Sequence, residues 1–186
     1  MRNIRIIKTG INVSKIQRQL DEYASDWNSQ QHEQGTAMQD PNHFISTVDV
    51  LQLVMGGIET EGQYVGDTEL CYQLPALKHH TEMVNFLKRH FHAVRRCAFF
   101  RIPVGHKVGR HIDFGSYYLD KDRYHLSISG RYRYTVYDPD GSAEQVVIEP
   151  GTLFWFDNKL EHESENIADE PRVAFIFDVP HHKSNP

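Results

Sequence analysis

Cysteine is nearly absent: Cys71 and Cys97 are the only two in 186 residues. Neither has a second cysteine at zinc-ligand spacing, which argues against a thiolate metal site and leaves room for one disulfide. Long apolar runs are missing as well. Met1 to Gly10 alternates charged with apolar residues and lacks a hydrophobic signal core, so neither a leader nor a membrane partner is expected. The reducing cytoplasm is the expected location. There is no excess of positive charge, since the formal net charge is −5, and no nucleic-acid partner is expected. Low-complexity tracts are absent too, and a charged fraction of 24% is that of an ordinary globular protein.

What is present, 39% hydrophobic residues in a chain of this length, suits one domain, residues 1–186, with a single substantial core. Its first part, 1–96, reads as mixed and helical. Ile4, Ile6 and Ile7 suggest an opening strand; Ile16, Leu20, Tyr23 and Trp27 recur at helical intervals behind Asn12 or Ser14 as a cap. Gln30 to Pro41 reads as a loop, and Phe44 to Met55 as a strand ending at Gly56-Gly57. Pro75 opens a second amphipathic helix, with Leu77, Val84, Leu87 and Phe91 on one face, up to about His92. Lys88, Arg89, Arg95 and Arg96 make a local basic cluster, read as a solvated helix face in preference to a phosphate site.

Over 97–180 the texture changes to short Phe-, Tyr-, Val- and Ile-rich runs divided by Gly, Pro and Asp, before a Pro-ended tail at 181–186. Eight strands are expected: Ala98 to Ile102, Val108 to Ile112, Tyr124 to Ser129, Tyr132 to Tyr137, Gln145 to Ile148, Thr152 to Phe156, His162 to Asn166 and Val173 to Val179. Pro139-Asp140-Gly141 and Glu149-Pro150-Gly151 supply turn chemistry. This suits a mainly β fold, a double-stranded β-helix (cupin-type jelly roll) with N-terminal helices packed on it. The spacing also allows an immunoglobulin-like sandwich.

His111 and Asp113 stand at i and i+2, on one face of a strand, so imidazole and carboxylate can converge on one ion. His162, opening a later strand, would complete a two-histidine, one-carboxylate triad that leaves positions open on iron(II). In a chain with 12 histidines, His-x-Asp also arises by chance as a solvent-facing pair near a turn. Arg172 opens the apolar run Val173 to Phe177. A buried arginine needs an anion: either the far carboxylate of a dicarboxylic cosubstrate or a structural partner such as Asp157, Glu161 or Asp178.

Phe100 to Val179 resembles the aspartyl/asparaginyl β-hydroxylase family of iron(II)- and 2-oxoglutarate-dependent dioxygenases, which includes bacterial hydroxylases of free proline. The runs that carry the resemblance are Ile102-Pro103-Val104-Gly105, Arg123-Tyr124-His125-Leu126 and Pro150 to Asp157, followed by Glu161-His162-Glu163 and Arg172 to Val179. The resemblance implies that His111, Asp113 and His162 ligate iron and that Arg172 binds the distal carboxylate of 2-oxoglutarate. It also implies that Arg123 and His125 line the cosubstrate pocket; as residues alone they are equally inward-facing polar groups of the core. Asp113 matches the bacterial branch, whereas animal members carry glycine there.

The implied reaction consumes 2-oxoglutarate and O2, with ascorbate as a supporting reductant. It releases succinate and CO2 and hydroxylates an unactivated C–H bond of an amino acid or peptide side chain of Asp/Asn or proline type. Phe100, Phe114, Trp155 and Phe156 are expected as walls of a dry cavity. Two rivals share the fold: an iron cupin oxygenase independent of 2-oxoglutarate, and a non-catalytic binding or sensor module.

Overall fold

The computed structural model describes residues 3–29, 48–60 and 63–181. The loop expected at 30–41, the first residues of the strand expected at 44–55, and the tail after residue 181 lie outside them. β1 (Ile4–Lys8) and α1 (Ser14–Glu22) come first, with Asn12 Oδ1 accepting the Ser14 N–H at 3.0 Å. α1 stops at Glu22, and a short 3-10 turn, Ala24–Asp26, brings Trp27 to the core. β2 (Asp49–Gly56), β3 (Ile58–Thr60), β4 (Gln63–Val65) and β5 (Cys71–Gln73) follow. The helix expected from Pro75 is divided: a 3-10 turn spans Pro75–Lys78, and α2 spans Thr81–His90.

β6 (Cys97–Ile102), β7 (Lys107–His111), β8 (Lys121–Ser129), β9 (Tyr132–Tyr137), β10 (Ala143–Ile148), β11 (Leu153–Phe156), β12 (Glu161–Asn166) and β13 (Arg172–Pro180) are the eight expected strands, with shifted ends. They divide between two antiparallel sheets, as a jelly roll requires. One has the order β1-β11-β8-β13-β6-β2-β5, the other β10-β9-β12-β7, and β3 pairs with β4 in a hairpin.

Alternation on the larger sheet determines what is core and what is site. Its outer face (Leu51, Leu53, Phe99, Leu126, Ile128, Phe175, Phe177) packs under α1 and α2, burying Ile16, Leu20, Met83 and Leu87 in one cluster. The inner face is mixed. Phe154 and Phe156, with Tyr132 and Tyr134 of the smaller sheet, close part of the barrel interior, while Val50, Ala98 and Ile102 line another part. Between them, Arg123, His125 and Ser127 alternate inward on β8, and Arg172, Ala174, Ile176 and Asp178 on β13. Cys71 and Cys97 are both free thiols, so the disulfide that composition allowed is not formed.

Phe175 is fully buried and packs on Phe99, with ring centroids 4.6 Å apart, under the helices. Phe175→Ala should cost about 3–5 kcal/mol, as aromatic truncations in close-packed cores do. Urea unfolding checks this; a loss under about 1 kcal/mol would mean that this layer is not close-packed.

Candidate metal and cosubstrate site

The two histidines meet because β7 and β12 are neighbours in the smaller sheet. His162 is the register partner of His111, and their ring centroids lie 4.3 Å apart. Each ring is oriented by its own backbone. His111 Nδ1 lies 2.7 Å from Gly109 O, and His162 Nδ1 lies 2.9 Å from Leu160 O. A carbonyl only accepts, so Nδ1 carries the proton in both rings and Nε2 the lone pair, the tautomer a metal ligand needs.

Asp113 joins them by a different route from the one its spacing suggested. β7 ends at His111, so strand alternation does not place Asp113; it lies on the following turn. Its position is set by Arg123, whose Nη1 donates to Asp113 Oδ2 at 2.8 Å, leaving Oδ1 4.0 Å from His162 Nε2. One ligand atom from each of His111, Asp113 and His162 falls within 4.8 Å of the others. Two lone-pair nitrogens and a carboxylate oxygen at that spacing fit a divalent ion, and this donor set is that of the non-haem iron facial triad.

β12, Glu-His-Glu-Ser-Glu-Asn, has no apolar residue, yet it alternates strictly between the two faces. His162, Ser164 and Asn166 are buried. Glu161, Glu163 and Glu165 pair outside with Arg110, Lys107 and Arg133 respectively. The glutamates beside His162 are therefore held apart from the metal donors by strand phase.

Two arginines lie on the floor, in opposite electrical situations. Arg123 Nε and Nη2 donate to both oxygens of Asp178, at 2.8 and 3.0 Å, while Nη1 holds Asp113. Burial alone would lower its pKa, but Asp113 and Asp178 carry it well above the ordinary value. Arg172 is only 2% exposed. Its Nη1 donates to Ser164 Oγ at 2.6 Å, its guanidinium lies 3.7 Å from the Tyr132 ring centroid, and its Nε is buried without a partner. None of the three carboxylates considered from sequence serves it: Asp178 is bound to Arg123, Glu161 to Arg110, and Asp157 makes no ion pair with Arg172. Burial pulls its pKa below the ordinary value.

His125 sits between them, against Tyr134, Phe154 and Phe156, with Nδ1 buried and unpartnered. Burial, followed by the Arg172 charge, holds its pKa well below the usual histidine value. All six residues expected at the site, His111, Asp113, Arg123, His125, His162 and Arg172, line one cavity of about 290 Å³. Phe100 and Phe156 are among its walls. Two expected wall residues are not: Phe114 is 94% exposed, and Trp155 faces away, donating its indole N–H to Asp122 at 2.9 Å.

Sequence reasoning considered Asp178 only as a partner of Arg172, whereas it holds Arg123, and it misplaced Arg96. Arg96 is not on the helix face; it precedes β6 and lines the cavity.

A barrel of two antiparallel sheets holding two imidazoles, a carboxylate and a buried cation defines a cupin-type oxidoreductase. The family model for aspartyl/asparaginyl β-hydroxylase matches residues 12–182, and the chain belongs to that family of hydroxylases, which implies iron and 2-oxoglutarate. Among solved structures, an oxidoreductase of the 2OG-Fe(II) oxygenase family from Burkholderia pseudomallei is similar in fold. It has 15% identity and a TM-score of 0.53, over 74% of this chain and 69% of that one. Oxalate decarboxylase from Bacillus subtilis (25% identity, TM-score 0.40, 48% of this chain and 22% of that one) and the cupin domain of Drosophila melanogaster CENP-C (13%, 0.39, 45% and 56%) are more distant. No curated protein matches the chain. No helix among the described residues is long and apolar enough to cross a membrane.

Burial pushes the His162 pKa down to about 4, against the opposing pull of Asp113. A histidine kept neutral in the fold but free to protonate at about 6.5 in the unfolded chain favours unfolding as the pH falls. Its contribution is intact above pH 6.5 and diminishes progressively toward about 4. Urea midpoints of metal-free protein between pH 7 and 4.5 should therefore fall, and a flat profile would contradict the buried, neutral assignment.

Proposed function

We propose that this protein hydroxylates an unactivated C–H bond of an amino acid or modest-sized peptide, of Asp/Asn or proline type. His111, Asp113 and His162 would hold iron(II), and Arg172 would hold 2-oxoglutarate. The observation that carries the cosubstrate reading is Arg172 itself, a buried guanidinium with a hydroxyl and an aromatic face around it and no carboxylate among the described residues. Leaving such a cation uncompensated is costly, and a bidentate carboxylate is the partner its planar fork fits.

Iron(II) with 2-oxoglutarate and O2 would supply the hydroxylating chemistry, releasing succinate and CO2, with ascorbate as a supporting reductant. The chain's own residues bind and orient. His111 and His162 present Nε2, each fixed by a bond from its Nδ1. Arg123 turns Asp113 toward them. Ser164 steadies Arg172 for the distal carboxylate. His125, kept neutral, adds polarity without a second cation next to Arg172. Phe100, Ile102, Val108 and Phe156 restrict water around the reacting groups.

Truncating one side of a buried, hydrogen-bonded charge pair costs about 2–5 kcal/mol. Arg172→Ala should then weaken 2-oxoglutarate by roughly thirty-fold or more with metal content unchanged, and Arg172→Lys should be intermediate. Succinate formation against 2-oxoglutarate concentration, with metal content determined in parallel, measures this. Substrate oxidation without 2-oxoglutarate consumption would leave an iron cupin oxygenase instead. Absence of turnover and of metal binding would leave a binding module. The substrate class is read by mass spectrometry, as a gain of one oxygen across amino acids and short peptides.

Glu161→Gln and Glu163→Gln should bind iron as the unmodified protein does, whereas His111→Ala and His162→Ala should lose it. Metal content after gel filtration distinguishes these cases, and loss in either glutamate variant with an intact circular dichroism spectrum would mean that the phase of β12 is wrong.

A further inference from the structure

The carboxylate ligand is the least supported of the three. His111 and His162 belong to paired strands, but Asp113 stands on a turn whose apolar side chains face solvent: Ile112 is 47% and Phe114 94% exposed. Burial of those side chains does not hold this turn, so polar tethers must. One is Arg123. The other comes from a segment distant in sequence, residues 66–69, just after β4.

Asp67 reaches across to the turn and accepts two backbone N–H groups, Ser116 N to Oδ2 at 2.9 Å and Tyr117 N to Oδ1 at 2.8 Å. These two bonds are the leading cause of its lowered pKa, so the charged form is the one that holds the turn. The glycine between Phe114 and Ser116 makes the approach possible. Gly115 has φ +125, and a Cβ there would lie 3.0 Å from Asp67 Oδ1.

Asp67 is itself fixed from both sides. Arg96 Nη2 donates to Gly66 O at 2.6 Å and Thr68 O at 2.7 Å, and the Arg96 guanidinium stacks 3.6 Å from the ring centroid of buried Tyr117. Gly56 on β2 leaves the space Arg96 needs, since a Cβ there would meet Arg96 Nε at 1.8 Å. Lys121 Nζ, at the start of β8, bonds Glu69 at 3.0 Å and anchors the far end of the segment.

We propose that Asp67 is a positioning residue for the metal site: by holding the backbone of the 115–117 turn, its carboxylate fixes where Asp113 presents its oxygen to the ion. The inference rests on the reading of Asp113 as a ligand. It adds that a residue remote in sequence, with no contact to the metal, controls metal affinity through that ligand.

The test uses metal-free protein titrated with cobalt(II), followed by its visible absorption. Asp67→Ala should weaken cobalt(II) by about tenfold, at the lower end of what loss of an outer-shell support costs, with the circular dichroism spectrum unchanged. Asp67→Asn, of the same shape but with one acceptor oxygen, should lose less. Glu69→Ala loosens the Lys121 anchor but leaves both Asp67 bonds to the turn in place, and should lose less than Asp67→Ala. In an Asp113→Ala background, Asp67→Ala should cause no further loss, because there is no ligand left to position.

Unchanged affinity in Asp67→Ala, an equal loss in Glu69→Ala, or an additive loss in the double variant would each overturn the inference. The underlying reading fails separately. If Asp113→Ala binds cobalt(II) normally, Asp113 is not a ligand; if Asp113→Ala is weakened and Asp67→Ala is not, only the positioning role is wrong.

Discussion

A guanidinium inside a β-barrel must be neutralised, and much of the site follows from how Arg123 meets that demand. Asp178, on the adjacent strand of the same sheet, takes two of its nitrogens and Asp113 takes the third. Asp178 is almost fully buried, so the pair is rigid and belongs to the sheet. Arg123 transmits that rigidity to a turn with little packing of its own. The candidate ligand Asp113 is thereby referenced to the floor of the barrel, and its carboxylate faces the two imidazoles.

Arg172 shows the same demand left open. It occupies the same sheet face, is more deeply buried, and among the described residues is met by a neutral hydroxyl and an aromatic ring and by no carboxylate. Aromatic faces and hydroxyls soften the cost of a buried cation but do not cancel it. Two arginines on one floor, one satisfied by the protein and one not, divide the cavity into a part the fold completes and a part that, in the proposed function, the 2-oxoglutarate dianion would complete. The histidine between them is driven neutral by burial and by the Arg172 charge, which avoids a third positive charge beside the place proposed for the cosubstrate.

The β-rich half was legible because each of its strands carries period-two alternation or a β-branched and aromatic run, and because Pro-Asp-Gly and Glu-Pro-Gly announce turns. His111, His162 and Arg172 were legible from spacing and from the family resemblance. Asp113 was identified for a reason the structure modifies: the i and i+2 rule applies within a strand, and the strand ends at the rule's first member, His111. The β3–β4 hairpin and β5 escaped because each strand is three residues long, below the length at which alternation is informative. Arg96 was assigned to a helix face because Phe91 and Val94 continue the helical spacing beyond the point where α2 stops, at His90. Asp67 carries no local signal, since its partners lie 49 and 50 residues away.

β12 carries a consequence for how the site is assembled. With no apolar side chain to choose its inner face, the strand is aligned by charge: three glutamates outside, each matched to a cation on β7 or β9. A slip by one residue would turn His162 and Ser164 to solvent and bring glutamates under the barrel. Exposed ion pairs weaken as salt screens them. The fidelity with which the candidate metal site forms inside the barrel thus becomes a property of the protein's surface and of the ionic strength in which the chain folds.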